Sequence, residues 1–354
     1  MDVTALLAWY RAHRRSMPWR DEVSPYRTLV SEIMLQQTRV DTVIPYFQRF
    51  IGEFPTAEAL AAAPLERVLE RWSGLGYYSR ARNLHAAAKA VAAEGGFPQD
   101  AEGLRGLPGV GPYTAGAIAS IALGLDEALV DGNVERVICR QMAWAEDPKR
   151  IKARLWEQAR AWLPKGEAGD FNQALMELGA TICTPSAPSC LLCPVRAGCA
   201  GVDGPERYPA KAPKAAVPEA VAVAALLRDD GRVLLARRPA TGLLAGLWEL
   251  PGALGADLGA ALTERVGLTL LDATPLGTVT HVFSHLRLHT TVYTAQAHGI
   301  AAAGGGYQEV RWVPAAEVDG MALSTLTRRT LALGSAPAAM PRKPRATRRP
   351  APPS

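Results

Sequence analysis

Along the first half of the chain, large apolar residues return every three or four positions, as in Leu6, Leu7 and Tyr10 and again in Val30, Ile33 and Met34. That is the spacing of one buried helical face. Pro25, Pro55, Pro64, Pro98 and Pro108 interrupt the pattern, so residues 2 to about 182 are predicted to be all helical, with breaks near those prolines. Beyond Pro218 the period shortens. Residues 220–227, 232–236, 278–283 and 288–294 are short runs rich in Val, Leu and Thr and read as strands, with one helix at 258–266.

Between the two patterns, Gly204-Pro205, Pro209, Pro213 and Pro218 have the composition of a linker. The fold class expected is therefore multidomain. An all-α domain spans residues 1–200, a linker 201–218, an α/β domain 219–334 and a basic tail 335–354. The tail has almost no large apolar residue and is expected to be disordered, either as a solubilising end or as a binder of polyanions.

At 354 residues the chain is long enough for about two cores. No apolar run approaches a membrane span, and Asp2 stands where a signal peptide would be basic, so an intracellular protein with no membrane partner is expected. Net charge is +5, but residues 1–204 hold 22 basic and 23 acidic groups and residues 205–334 hold 12 and 11. The surplus lies in the last twenty residues, five basic and none acidic. Nucleic-acid binding by the folded part must then rest on local patches and backbone amides.

The stretch Leu107-Pro108-Gly109-Val110-Gly111-Pro112-Tyr113-Thr114-Ala115 supplies such amides: a tight turn opening a helix. A plain helix connector has the same composition. Eighteen residues beyond Tyr113, Asp131 stands before Gly132 and Asn133, where it caps the next helix, and a carboxylate there is expected to stay ionised. Glu32 lies in a helical run with Ile33, Met34 and Leu35 after it and Leu29 one turn before; partial burial would raise its pKa, although the local pattern by itself favours an exposed glutamate, common on helix surfaces.

The hairpin followed by Asp131 resembles the helix-hairpin-helix superfamily of base-excision glycosylases that includes endonuclease III. Ser31-Glu32-Ile33-Met34-Leu35-Gln36-Gln37-Thr38 and Gly74-Leu75-Gly76-Tyr77-Tyr78 are similar to the MutY family of adenine DNA glycosylases, over nearly all of residues 8–200. The resemblance implies base-excision repair on double-stranded DNA with adenine opposite 8-oxoguanine or guanine, by a monomer. It also implies roles. Glu32 protonates a purine ring nitrogen and Asp131 stabilises the oxocarbenium ion, with Tyr113 and Asn133 supporting them. Gln37 and Tyr77 enter the base stack, Thr38, Gly109 and Gly111 contact DNA, and Arg15, Trp19, Arg20 and Gln173 surround the extruded base. Where backbone-cleaving relatives carry a Schiff-base lysine this chain has Tyr113, and a phenol forms no imine, so a monofunctional enzyme that leaves an abasic site is expected.

Cys183, Cys190, Cys193 and Cys199 follow with six, two and five residues between them, a compact thiolate loop that suits either zinc or an iron-sulfur cluster. The resemblance points to one 4Fe-4S cluster. Cys139 lies apart and reads as a buried small hydrophobe. The order of strands and helix after residue 219 resembles a Nudix fold, whose hydrolases hold magnesium on an Arg-Glu and a Glu-Glu pair. Only Glu264 remains of those four here, beside Ala260, Ala261 and Arg265, so hydrolysis is not expected. In the resembled family this domain reads the base opposite adenine through a Phe-Ser-His loop, which matches Phe283, Ser284 and His285.

Overall fold

The computed structural model describes residues 1–210 and 216–334, and the chain divides into two compact units, Met1–Ala216 and Val217–Ser354. The tail 335–354 and linker residues 211–215 lie outside the described residues.

The first unit is built from α1 (Val3–His13), α2 (Pro18–Asp21), α3 (Pro25–Leu35), α4 (Val40–Glu53), α5 (Ala57–Ala62), α6 (Leu65–Trp72), α7 (Ser79–Ala93), α8 (Ala101–Gly106), α9 (Pro112–Ala117), α10 (Gly132–Gln141), α11 (Lys152–Trp162) and α12 (Ala168–Thr181). Local chemistry sets the ends. Asp2, Ser24, Thr56 and Asp100 accept first-turn amides of α1, α3, α5 and α8. Pro25 and Pro112 open α3 and α9, where a missing N–H costs nothing, and Pro64 stands before α6. Leu6, Leu7 and Tyr10 of α1 pack against Phe171, Leu175 and Leu178 of α12 and Val134, Ile138 and Cys139 of α10. Each large apolar side chain so buried contributes about 1.5–3 kcal/mol by leaving water.

After α9 the chain continues as a π-helical turn, Ile118–Ala122. Its Ser120 accepts a 2.9 Å hydrogen bond from Asn172 of α12, and Gly169 lets α12 approach so closely that a Cβ there would sit 2.7 Å from the Ser120 carbonyl.

Residues 201–210, which sequence composition assigns to a linker, are fastened to the helical unit. The Gly201 and Ala210 amides donate to the Arg140 and Ala145 carbonyls at 2.9 and 3.0 Å. The buried Arg140 guanidinium in turn donates to the carbonyls of Pro205 and Tyr208. Glycine and proline here shape a segment that turns on a surface.

The second unit has two small sheets. In one, the order is β5 (Gly252–Leu254), β1 (Glu219–Leu226), β7 (Arg287–His298), β6 (Thr269–Val282), with β1 parallel to β7 and the other pairs antiparallel. In the other, β2 (Arg228–Asp229), β3 (Arg232–Arg237) and β4 (Trp248–Glu249) run in order and β8 (Glu309–Pro314) pairs with β3. Helix α13 (Leu258–Val266), capped by Asp257 and stopped by left-handed Gly267, buries Leu258, Ala261, Leu262 and Val266 in a core with Val223, Leu234 and Tyr307. A second helix, α14 (Thr325–Leu333), opens on Ser324. Strands β2, β4, β5 and β8 and helix α14 are additions to the sequence reading, and β6 begins nine residues earlier than residue 278. Among the described residues no helix is long and apolar enough to cross a membrane.

Candidate active site

A cavity of about 670 Å³ opens in the helical unit, lined by Arg15, Trp19, Arg20, Glu32, Gln37, Thr38, Tyr113, Asp131, Asn133 and Gln173. These are ten of the residues singled out from sequence. Four different segments bring them together: the α1–α2 corner, α3 with the loop after it, the hairpin into α10, and α12.

Glu32 is buried on the inner face of α3, 6% exposed, and the Tyr113 hydroxyl donates to its Oε2. Burial pushes the Glu32 carboxyl up to about 7, with the Tyr113 hydrogen bond opposing and the nearby Asp131 adding to the rise. The buried alternative, not the exposed one, holds. Asp131 caps α10 as expected and accepts from the amides of Asn133 and Val134 at 3.0 and 2.8 Å and from the Asn133 side chain at 3.0 Å. Its pKa nevertheless moves upward. Burial outweighs the three donors and Arg136, so the cap moderates the cost of ionising Asp131 without reversing it.

Asn133 is held in turn: Arg136 donates to its Oδ1 at 2.8 Å, and to the carbonyls of Gly179 and Cys183 at 2.7 and 2.8 Å. Gly179 of α12 lies against Asn133 so closely that a Cβ would stand 2.6 Å from the Asn133 Cβ.

On the opposite wall the sequence reading missed Glu177. Its side chain is 2% exposed and binds Arg15 Nε at 2.6 Å and Arg20 Nη2 at 3.0 Å. Burial raises its pKa, but the two guanidinium groups win and hold it below the usual range. Arg20 also donates to Gln173 at 3.1 Å. Glu177 stands four residues after Gln173 on α12, a helical-face spacing that was the available signal. Trp19 is largely buried edge-on to Phe47 while still lining the cavity.

Gln37 and Tyr77 both have positive φ, 56° and 48°, and Tyr77 is 46% exposed. Non-glycine residues in this conformation are uncommon and gather at functional loops. Tyr77 does not line the cavity, nor do Gly109 and Gly111 of the hairpin. Gly109 has φ +74° and lies against Asn83, whereas Gly111 precedes α9 with open space where a Cβ would be.

Cys183, Cys190, Cys193 and Cys199 line one shared cavity with Arg140 and Arg196. Arg140 donates to the Cys183 carbonyl at 3.1 Å, to its Sγ at 3.3 Å and to the Thr184 carbonyl at 2.7 Å. Among the described residues, no group of three or more His, Cys, Asp or Glu side chains is disposed to hold a metal ion. What the loop offers is four soft thiol donors around one volume, beside a fixed cation that suits a net-negative thiolate assembly. Cys139 is fully buried, and its thiol is pushed up to about 11 by burial.

In the second unit, Phe283, Ser284 and His285 form the tip between β6 and β7, closed by the Phe283 amide donating to the Leu286 carbonyl at 2.7 Å. Phe283 is half-buried, with the His281 ring 4.5 Å away, and Ser284 and His285 are exposed. Arg265 donates to the carbonyls of Gly252 and Gly305 and lies over the Tyr307 ring, and Ala261 is in the core.

Residues 30–161 match the family described as HhH-GPD superfamily base excision DNA repair protein, and residues 222–333 match the NUDIX domain. A rat adenine DNA glycosylase is 38% identical over 92% of this chain and 77% of its own length. The human one is 37% identical over 91% and 71%. Among solved structures, a thermostable thymine-DNA glycosylase is similar with TM-score 0.53 and 32% identity, over 57% of this chain and 94% of that one. A trapped endonuclease III–DNA covalent intermediate shares the fold, with TM-score 0.50 and 22% identity over 57% and 93%.

Proposed function

Because this chain belongs to the adenine DNA glycosylases, and so is a base-excision DNA glycosylase, we propose that its substrate is adenine opposite 8-oxoguanine or guanine and its product an abasic site. The observation that carries the reading is the pair of carboxylates in one cavity. Glu32 sits near neutral pKa with a phenol bonded to it, and Asp131 is held by three donors at a helix start.

The duplex gives up the adenine by extrusion, at a cost of a few kcal/mol in lost stacking, and Gln37 and Tyr77 fill the vacated space. Arg15, Trp19, Arg20 and Gln173, with Glu177 fixing both arginines, wall the base. Glu32 gives its proton to a purine ring nitrogen, which makes the base a neutral leaving group as the N-glycosidic bond breaks. The sugar cation forms opposite the Asp131 carboxylate. Water adds to the cation, and the Glu32 carboxylate takes its proton. Tyr113 orients Glu32 and offers no amine to the sugar, so the reaction stops at the abasic site. Asn133 keeps Asp131 turned inward.

Cys183, Cys190, Cys193 and Cys199 are the residues that would hold a 4Fe-4S cluster, whose contribution is to brace the 183–199 loop. Their shared cavity and their spacing support this. Visible absorption with about four irons per chain is the expected result; zinc in its place overturns the assignment. The protein is taken to act as a monomer on DNA inside the cell, and Phe283, Ser284 and His285 to meet the base opposite adenine.

The test is single-turnover excision on duplexes with adenine opposite 8-oxoguanine or guanine and with thymine opposite guanine, each followed by alkali to reveal abasic sites. Adenine release with cleavage only after alkali is expected. Thymine release, or strand cleavage without alkali, overturns the reading.

A further inference from the structure

The Arg80 side chain, on the first turn of α7, is 7% exposed and lies outside the cavity, yet its guanidinium is heavily engaged. Its Nη1 donates to the carbonyls of Ile33, Met34 and Gln36 at 2.9, 2.8 and 2.5 Å, closing the C-terminal end of the helix that carries Glu32. Its Nη2 donates to Thr38 Oγ1 at 3.1 Å and to the carbonyls of Leu75 and Gly76 at 3.2 Å each. The guanidinium also lies against the Trp72 and Tyr77 rings, 5.4 Å from each centroid.

Gln36 and Thr38, just past the Ile33–Met34 end of α3, and Leu75 and Gly76 belong to two loops far apart in sequence, and each loop carries one residue with strained left-handed backbone, Gln37 in the first and Tyr77 in the second. Such conformations persist only where surrounding bonds over-determine them. One planar cation with its donors split between the two loops does that, because neither loop can relax without breaking bonds the other depends on. A helix C-terminus is also where a buried cation is best tolerated.

We infer that Arg80 is a positioning residue that clamps the Gln36–Gln37–Thr38 loop to the Leu75–Gly76–Tyr77 turn, so that Gln37 and Tyr77 meet the duplex as one preformed wedge. The inference rests on the reading above that these two side chains enter the base stack. It adds that the wedge is assembled before DNA arrives and that Arg80, with no contact to the base, governs the extrusion step. A preorganised insertion element loses no conformational freedom on binding, which lowers the barrier to opening the stack.

The test compares wild type, Arg80→Met, Arg80→Lys, Tyr77→Ala and the Arg80→Met/Tyr77→Ala double variant in single-turnover excision. Two duplexes are used, both with adenine opposite 8-oxoguanine, one fully paired around the target and one with flanking mismatches that make unstacking cheap. Arg80→Met is expected to slow excision on the order of tenfold to a hundredfold on the paired duplex and far less on the mismatched one. Arg80→Lys, which keeps the charge but not the fork, should fall between. The double variant should be no slower than its slower parent, since both changes disable the same wedge. Equal slowing on the two duplexes, additive losses, or undiminished excision overturns the inference while leaving the adenine reading intact. If the methionine variant does not fold, the lysine variant is judged by the same comparison. Wild type that releases no adenine overturns the functional reading, and the inference falls with it.

Discussion

At the scale of single residues the site turns on an acid that burial makes reluctant to ionise. Glu32 moves from 4.5 up to about 7, so the folded protein keeps a proton that the unfolded chain has lost between those values. Stability contributed by this group therefore falls as pH rises through that window, by up to about 3 kcal/mol above it. Glu32→Gln should be more stable than wild type at pH 8 and nearly equal to it near pH 4, by denaturant unfolding, while losing adenine release and keeping duplex binding. Excision by wild type should decline as pH rises past about 7. Because the Tyr113 hydroxyl lowers the Glu32 pKa, Tyr113→Phe should move that decline to higher pH. Asp131→Asn should bind the duplex yet release base at least a hundredfold more slowly. Glu32 was legible only through the motif around it, since an apolar helical run does not tell a buried glutamate from an exposed one. Asp131 was legible as a cap, but the upward direction of its pKa was not, because desolvation depends on what the other helices place over it.

At the scale of elements, the two hairpin glycines separate folding from binding. Gly109→Ala puts a side chain at φ +74° and its Cβ 2.5 Å from the Asn83 Cβ, so it should cost about 2 kcal/mol or more in thermal or denaturant unfolding. Gly111→Ala meets nothing within 4 Å and should leave stability almost unchanged. If the turn is a DNA contact, that second change still weakens duplex binding, and equal binding by wild type and Gly111→Ala would remove Gly111 from the interface. The helices were readable because their period is long and their caps are local. Strand β6 was read from residue 278 onward because Pro275 and Gly277 interrupt it, and the paired register does shift between those two residues. Strands β4 and β5, two and three residues long, carry too little pattern to read; they exist because neighbours pair with them. The engagement of Gly201–Ala210 by Arg140 escaped for the same reason, a long-range acceptor set that no window of sequence contains.

For the whole molecule, the sequence made two units legible through the change of period, and the structure divides the chain between Ala216 and Val217. The near balance of charge over residues 1–334, 34 basic (22 and 12) against 34 acidic (23 and 11), keeps the long-range attraction to DNA weak. Removing the five basic residues of the tail, Arg342, Lys343, Arg345, Arg348 and Arg349, should reduce the salt dependence of nonspecific duplex binding and leave the single-turnover excision rate unchanged. In the second unit, Phe283→Ala with Ser284→Ala should narrow the difference in excision between adenine opposite 8-oxoguanine and adenine opposite guanine. Unchanged discrimination would mean that the β6–β7 tip does not read the opposite base.

The close approach of α12 to Asn133 has a consequence that belongs to heredity. Any amino-acid change from a single-base substitution in a glycine codon adds a Cβ, and at Gly179 that atom would lie 2.6 Å from the Asn133 Cβ, beside the group that holds Asp131. Position 179 therefore has no mild missense neighbours. With the substrate proposed above, such a change is expected to raise a cell's mutation rate, and a screen for mutators should recover Gly179 substitutions.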